Sequence, residues 1–159
     1  MACRRLAVLL FCILAATGPA HAQPDVIRDS EQLRALFSNR TLNGHFLSGD
    51  KFKEFYSPDG RSAYFQLQCL HSGTWWIDSL SQDFGAFEAG TPLACFDYPT
   101  LNAKDDPSCF AVGGPKGAER FYPVGGDPAN TGIPGAFVDH WAPGNPESLP
   151  LGEDGCPSV

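Results

Sequence analysis

The side chains of this sequence that could do chemistry are one carboxylate in an unusual setting, three histidines and a set of cysteines. Glu54 stands in an aromatic strand phrase, between Phe52 and Tyr56. Burial there would raise its pKa and make it a candidate acid or base. No partner carboxylate stands at a defined spacing, so two-carboxylate glycosidase chemistry has no support. His45, His71 and His140 lie far apart, with no H-x-H or H-E-x-x-H spacing. A barrel could gather all three into a metal site, but no motif asks for it. No serine occupies a G-x-S-x-G elbow, and no C-x-x-C pair suggests redox or haem work. Gly113-Gly114 and Gly125-Gly126 are followed by no helical pattern, so they read as turns and not phosphate loops. The expectation is a protein that is not an enzyme, with no catalytic residue, metal or cofactor assigned.

The cysteines fall into two groups. Cys3 and Cys12 belong to the first 22 residues, where Arg4 and Arg5 precede an apolar run over 6–16 and a close of Ala20-His21-Ala22. Charged start, apolar centre and A-x-A exit make a secretory signal peptide. The run is shorter than the ~20 residues a membrane-spanning helix needs. Cleavage after Ala22 is expected to leave residues 23–159 as a periplasmic or secreted chain, with no membrane insertion. Cys69, Cys95, Cys109 and Cys156 remain. An even number in an exported chain reads as two disulfides. Cys95 and Cys109 sit in matching phrases, Cys95-Phe96-Asp97-Tyr98 and Cys109-Phe110-Ala111-Val112, around a polar loop at 102–106. Folding that hairpin about Asn102 sets 95 opposite 109. Opposed antiparallel residues have Cβ atoms ~4.5–5.5 Å apart, near the reach of a disulfide. By subtraction Cys69 pairs with Cys156 and staples the tail to the body.

Removing 22 of 159 residues leaves 137, the length of one domain with a single core. Without Arg4 and Arg5, nine basic residues face 18 acidic ones, a net charge near −9. Such a surface repels phosphate backbones and anionic headgroups, so nucleic acid and membrane surfaces are disfavoured as partners, and no basic stripe offsets this.

The elements that must position these residues are mostly strands. One helix is expected over 29–37. Asp29 caps it, Gln32 stands where a capping box wants it, and Leu33, Leu36 and Phe37 share a face. Asn39 can close it in a left-handed conformation. Beyond it, 17 glycines and 14 prolines across the chain break every helical pattern. Strands are expected near 40–47, 51–57, 61–68, 73–79, 93–98, 108–113, 119–124 and 136–141. The sharpest turn is Tyr56-Ser57-Pro58-Asp59-Gly60-Arg61, with proline, aspartate and glycine each in its preferred role. Residues 125–135 read as a loop and 142–159 as an irregular tail. Adjacent antiparallel strands predict a mainly β fold. It is a small meander curled into a barrel or half-barrel, with one short N-terminal helix.

If Ser57 faces Arg61, one strand face holds Lys53, Phe55, Ala63, Phe65, Leu67 and Cys69, and looks like core. The other holds Phe52, Glu54, Tyr56, Ser62, Tyr64 and Gln66. Aromatic bodies with polar tips suit a ligand-lining surface; an ordinary half-wet outer face is the plainer and favoured expectation. Trp75 and Trp76 are adjacent and point to opposite sides of one strand. One fills the core; the other lines a groove or packs under the helix. Glu54, Tyr56, Tyr64, Gln66, Trp75 and Trp76 are the candidate ligand-binding residues, and Trp141 reads as a strand-end plug.

The order of Gly44, Phe55-Tyr56-Ser57-Pro58-Asp59-Gly60, Gly73-Thr74-Trp75 and the two Cys-Phe phrases resembles small secreted or periplasmic proteobacterial proteins of unknown function. Their phrases are an aromatic-x-P-D-G hairpin, a G-x-W strand and paired C-aromatic strands. The likeness covers roughly 40–113. It implies a lipocalin-like β-fold, export and a Cys95–Cys109 bridge, and no activity. Two functions are carried forward. One is a monomeric binding module for a small apolar or amphipathic ligand. The other is a protein-interaction factor of the cell envelope, or an inhibitor of an exported protease with residues 23–30 as its arm.

Overall fold

A computed structural model describes residues 24–102, 106–125 and 132–156. Residues 1–23, 103–105, 126–131 and 157–159 lie outside them, and with them the leader expected at 1–22, part of the loop expected at 125–135 and the end of the expected tail. Eight strands follow one helix: α1 Ser30–Phe37, β1 Arg40–Phe46, β2 Lys51–Tyr56, β3 Arg61–Gln66, β4 Cys69–Ser79, β5 Pro92–Asp97, β6 Ser108–Gly113, β7 Arg120–Pro123 and β8 Ala136–Pro143. Each pairs with the next, and β8 returns antiparallel to β1, closing the barrel. Eight strands enclose an interior that side chains nearly fill, with room for one small ligand.

The local chemistry explains the elements. Asp29 Oδ1 accepts from the Gln32 backbone N–H at 2.7 Å, capping α1. Asn39, at φ 56°, turns the chain into β1. At the β2–β3 hairpin Gly60 takes φ 86° and Ser57 N–H donates to Arg61 O at 2.8 Å. That sets Glu54 opposite Tyr64 and Tyr56 opposite Ser62.

The β3–β4 hairpin differs from expectation. Gln66 pairs with Cys69, so Leu67 and Gln68 form a two-residue turn, with φ 50° and 68°. Such turns favour Asn-Gly, because both central residues need positive φ. Leu67 and Gln68 carry no such signal, and the strand expected at 73–79 in fact begins at Cys69. Relieving the strain should stabilise the fold. The double change Leu67→Asn, Gln68→Gly is expected to add about 1–2 kcal/mol in urea unfolding. No gain would mean that this turn carries no excess strain.

Closure also corrects which face is inside. Leu42, Tyr56, Trp75, Ala94, Phe96 and Val112 form the interior cluster, and Phe37 of α1 plugs one end. The face of Phe52, Glu54, Tyr56, Ser62 and Tyr64, expected to be a half-wet exterior, points inward, each residue at most 7% exposed. The face expected to be core points outward: Leu67 is 77% exposed, and Lys53 and Phe65 are half-buried. Phe55 and Ala63 are buried on that outer face between Thr41 and Ser72 of the neighbouring strands. The C-terminal tail covers that row. Thr41 Oγ1 donates to Gly144 O at 2.7 Å, Lys53 pairs with Glu147, and Ser72 N–H donates to Asp154 at 2.6 Å. Both faces are therefore buried, which is why alternation alone misled.

Cys95 and Cys109 are directly opposed across β5 and β6 and bonded. Cys69–Cys156 pins the tail at the start of β4. Disulfides are bonds of an oxidising environment. Near the N-terminus, Val26 bridges to Gly113 and is 6% exposed. It joins Phe87, Leu93, Cys95, Ala111 and Tyr122 in a second cluster outside the barrel.

Candidate functional site

The barrel has two unlike ends. At one, the Phe37 ring lies 4.8–5.9 Å from the rings of Tyr56, Trp75, Phe96, Phe121 and Trp141. Trp141 is the plug the sequence suggested, and its Nε1 donates to Glu119 Oε2 at 2.9 Å. The other end opens into a cavity of about 210 Å³. Its wall comes from Phe46 and Phe52 at the β1–β2 hairpin, Glu54 and Tyr64 on β2 and β3, and Phe96, Tyr98, Leu101 and Asn102 on and after β5. Ser108 and Phe110 of β6, Phe121 of β7 and Ala136 of β8 complete it.

Glu54 is the one carboxylic acid among the described residues of that wall. It is 6% exposed. Burial lifts its pKa from the ordinary 4.5 to about 7, and the hydroxyls of Tyr98 and Tyr56 pull the other way. Tyr98 donates its phenolic proton to Glu54 Oε1. Tyr64 donates to Gln66 Oε1 at 2.6 Å. Tyr56 Oη sits close enough to act on the carboxylate, yet it has no hydrogen bond of ordinary geometry, and neither has the buried Ser62 Oγ. Burial, with Glu54 as a neighbouring charge, holds the phenols of Tyr56, Tyr64 and Tyr98 well above their usual range.

Gly73 explains how Tyr98 reaches Glu54. It lies on β4 opposite Ser62, and the Tyr98 ring rests where its side chain would be. A Cβ there would meet Tyr98 Cδ1 at 2.5 Å and Asp97 O at 2.3 Å. Gly73→Ala is expected to cost about 2 kcal/mol in chemical unfolding, as overpacking typically does. An unchanged midpoint would show that Tyr98 does not depend on this bare stretch of strand.

The sequence candidates separate. Glu54 and Tyr64 line the cavity, and Gln66 holds the Tyr64 hydroxyl. Tyr56 lies one layer deeper, fully buried between the cavity and α1. Trp75 belongs to the plugged end, where Nε1 donates to Ser57 O at 2.9 Å. Trp76 points outward, half-buried against the second cluster. Tyr98, Phe96, Phe110 and Phe121 were missed as wall residues. Carrying the inward parity of β2 and β3 round the closed sheet would have found them. The three histidines do not form one site: His45 and His140 line a shared outer-wall pocket with Asp139, and His71 is not part of it. His45 Nδ1 is 2.8 Å from Asp139 on the outer wall and His71 Nδ1 is 2.8 Å from Thr100 Oγ1. Among the described residues no three metal-ligating side chains form a group.

No protein-family model matches the sequence, and neither the curated proteins nor the solved structures gave a significant match.

Proposed function

We propose that this protein is an exported binding module, not an enzyme. It takes a small amphipathic ligand into the open end of its barrel. The carrying observation is the 210 Å³ cavity, walled by aromatic rings with one buried carboxylate among them. Apolar walls with a few fixed polar groups are what small-molecule sites use to gain affinity and orientation. Drug-sized ligands need about 300–1,000 Å³, so the ligand here is a short-chain compound. Glu54 would hold its polar end. Among the described residues Glu54 is the only carboxylate of the cavity wall.

The two disulfides support action in the periplasm or outside the cell, as the leader at 1–22 and the lipocalin-like likeness also suggest. The protease-inhibitor alternative needs a free arm at 23–30. In the described part of that arm Val26 is buried against Gly113, and Ile27 N–H donates to Val112 O at 2.8 Å, which disfavours it.

The test is ligand-observed NMR with a panel of short alcohols, ketones, amines and acids. It is run on the wild type and on Ala136→Phe, whose new ring would enter the cavity. At least one class should bind the wild type and fail on the variant. Panel-wide silence, or equal binding by the filled variant, would overturn the proposal.

A further inference from the structure

We propose that the ligand is an organic cation, an ammonium group on a short apolar chain, bound with its nitrogen against Glu54 and its methylenes against the rings. This rests on the binding-module reading and names the ligand class.

The wall offers acceptors and few donors. Tyr98 spends its proton on Glu54, and Tyr64 spends its own on Gln66. Asn102 Nδ2 donates to Asp106 O and Ser108 Oγ, both at 3.1 Å. What remains facing the cavity is a carboxylate, phenolic lone pairs, ring faces and the single hydroxyl of Ser108. A ligand that satisfies them must bring hydrogens on a positive centre. An ammonium does so, and aromatic faces attract it through their negative quadrupole. An anion would meet the carboxylate with no basic residue beside it.

Charge supports the same ligand. Glu54 is the cavity's only charged side chain among the described residues, and no ion pair with Lys, Arg or His reaches it. A buried carboxylate without a counter-ion is costly to ionise. A bound ammonium supplies that counter-ion from outside the chain. The net charge of −7 on the full sequence draws cations towards the protein.

This predicts how pH acts. The groups facing Glu54 are Tyr56 on its own strand, Ser62 and Tyr64 on β3, and Tyr98 after β5. Their phenols stay protonated across neutrality. On β4 the His71 ring lies 6.0 Å from that of Tyr64, so a Glu54→Gln comparison is needed to assign a pH effect to the carboxylate. With Glu54 at about 7, its ionised fraction rises roughly tenfold from pH 6 to pH 8. Affinity for a cation should rise with it.

Titrate wild type and Glu54→Gln with butylammonium, 1-butanol and butyrate, following backbone amide shifts of Tyr98 and Asn102 by NMR. Butylammonium should bind the wild type roughly tenfold more tightly than 1-butanol at pH 8. Its affinity should fall roughly tenfold by pH 6, and Glu54→Gln should abolish both differences. If 1-butanol binds as well, or butyrate binds better, the cation is overturned while the binding module stands. If none of the three shifts the cavity amides, both fall. If Glu54→Gln folds poorly, the same pH series on His71→Gln decides the charge question: a tenfold fall that persists without the imidazole belongs to Glu54, and its loss overturns the cation.

Discussion

Replacing Phe37 by alanine is expected to remove about 4 kcal/mol of stability. Phe37 is fully buried and is the ring that α1 inserts into the barrel. Five aromatic rings surround it at centroid distances of 4.8–5.9 Å. Those rings come from β2, β4, β5, β7 and β8, so they cannot all collapse into the gap without bending the barrel. The cost is therefore the lost transfer energy plus a cavity that does not close. A domain is typically stable by only 5–15 kcal/mol, so the variant would retain little margin. Guanidinium unfolding with both disulfides intact measures it. A loss below about 1 kcal/mol would show that α1 is not the plug on which the barrel depends.

The second large effect is on the pH dependence of stability. Glu54 has its pKa raised in the folded state, from 4.5 to about 7, because burial disfavours its charge. Between those values the unfolded chain has released a proton that the folded chain still holds. Stability therefore falls as pH rises through that window. The contribution is complete below about pH 4.5 and lost above about pH 7. The gap is worth about 3 kcal/mol. Glu54→Gln keeps an acceptor for Tyr98 and carries no charge at any pH. It should be more stable than the wild type by about 3 kcal/mol at pH 8, a rise in Tm of roughly 10 °C. At pH 5 the two should differ by less than about 1 kcal/mol. The difference between the chains cancels the other carboxylates, including Asp59, whose pKa is lowered by its neighbours Ser57 and Arg61. An equal difference at both pH values would mean that Glu54 does not titrate as a buried acid.

These two residues mark how far the linear chain can be read. The capped helix was readable because its signals are local: Asp29, Gln32 and the Leu33–Phe37 face act within a few residues. The P-D-G hairpin was readable for the same reason, and it set the register that places Glu54 opposite Tyr64. Cys95 and Cys109 were paired by that kind of hairpin arithmetic, and Cys69 and Cys156 by elimination. The Leu67–Gln68 turn escaped because neither residue is a turn former, and only the pairing of whole strands forces both into positive φ.

The types of residue on each strand face, the strand count and the disulfide partners followed from the order of amino acids, because alternation, turns and spacing are properties of short segments. The cavity did not. Period-2 alternation sorts side chains into two sets but is blind to which set a closed sheet will enclose. That choice depends on the return of β8 to β1, on α1 filling one end, and on the tail from Gly144 to Cys156 covering the other face of β1–β4. These are contacts between residues a hundred positions apart. Glu54 gains its buried setting, and with it a pKa raised to about 7, only when the barrel closes around it; Tyr98, resting on bare Gly73, donates to the carboxylate there and opposes that rise.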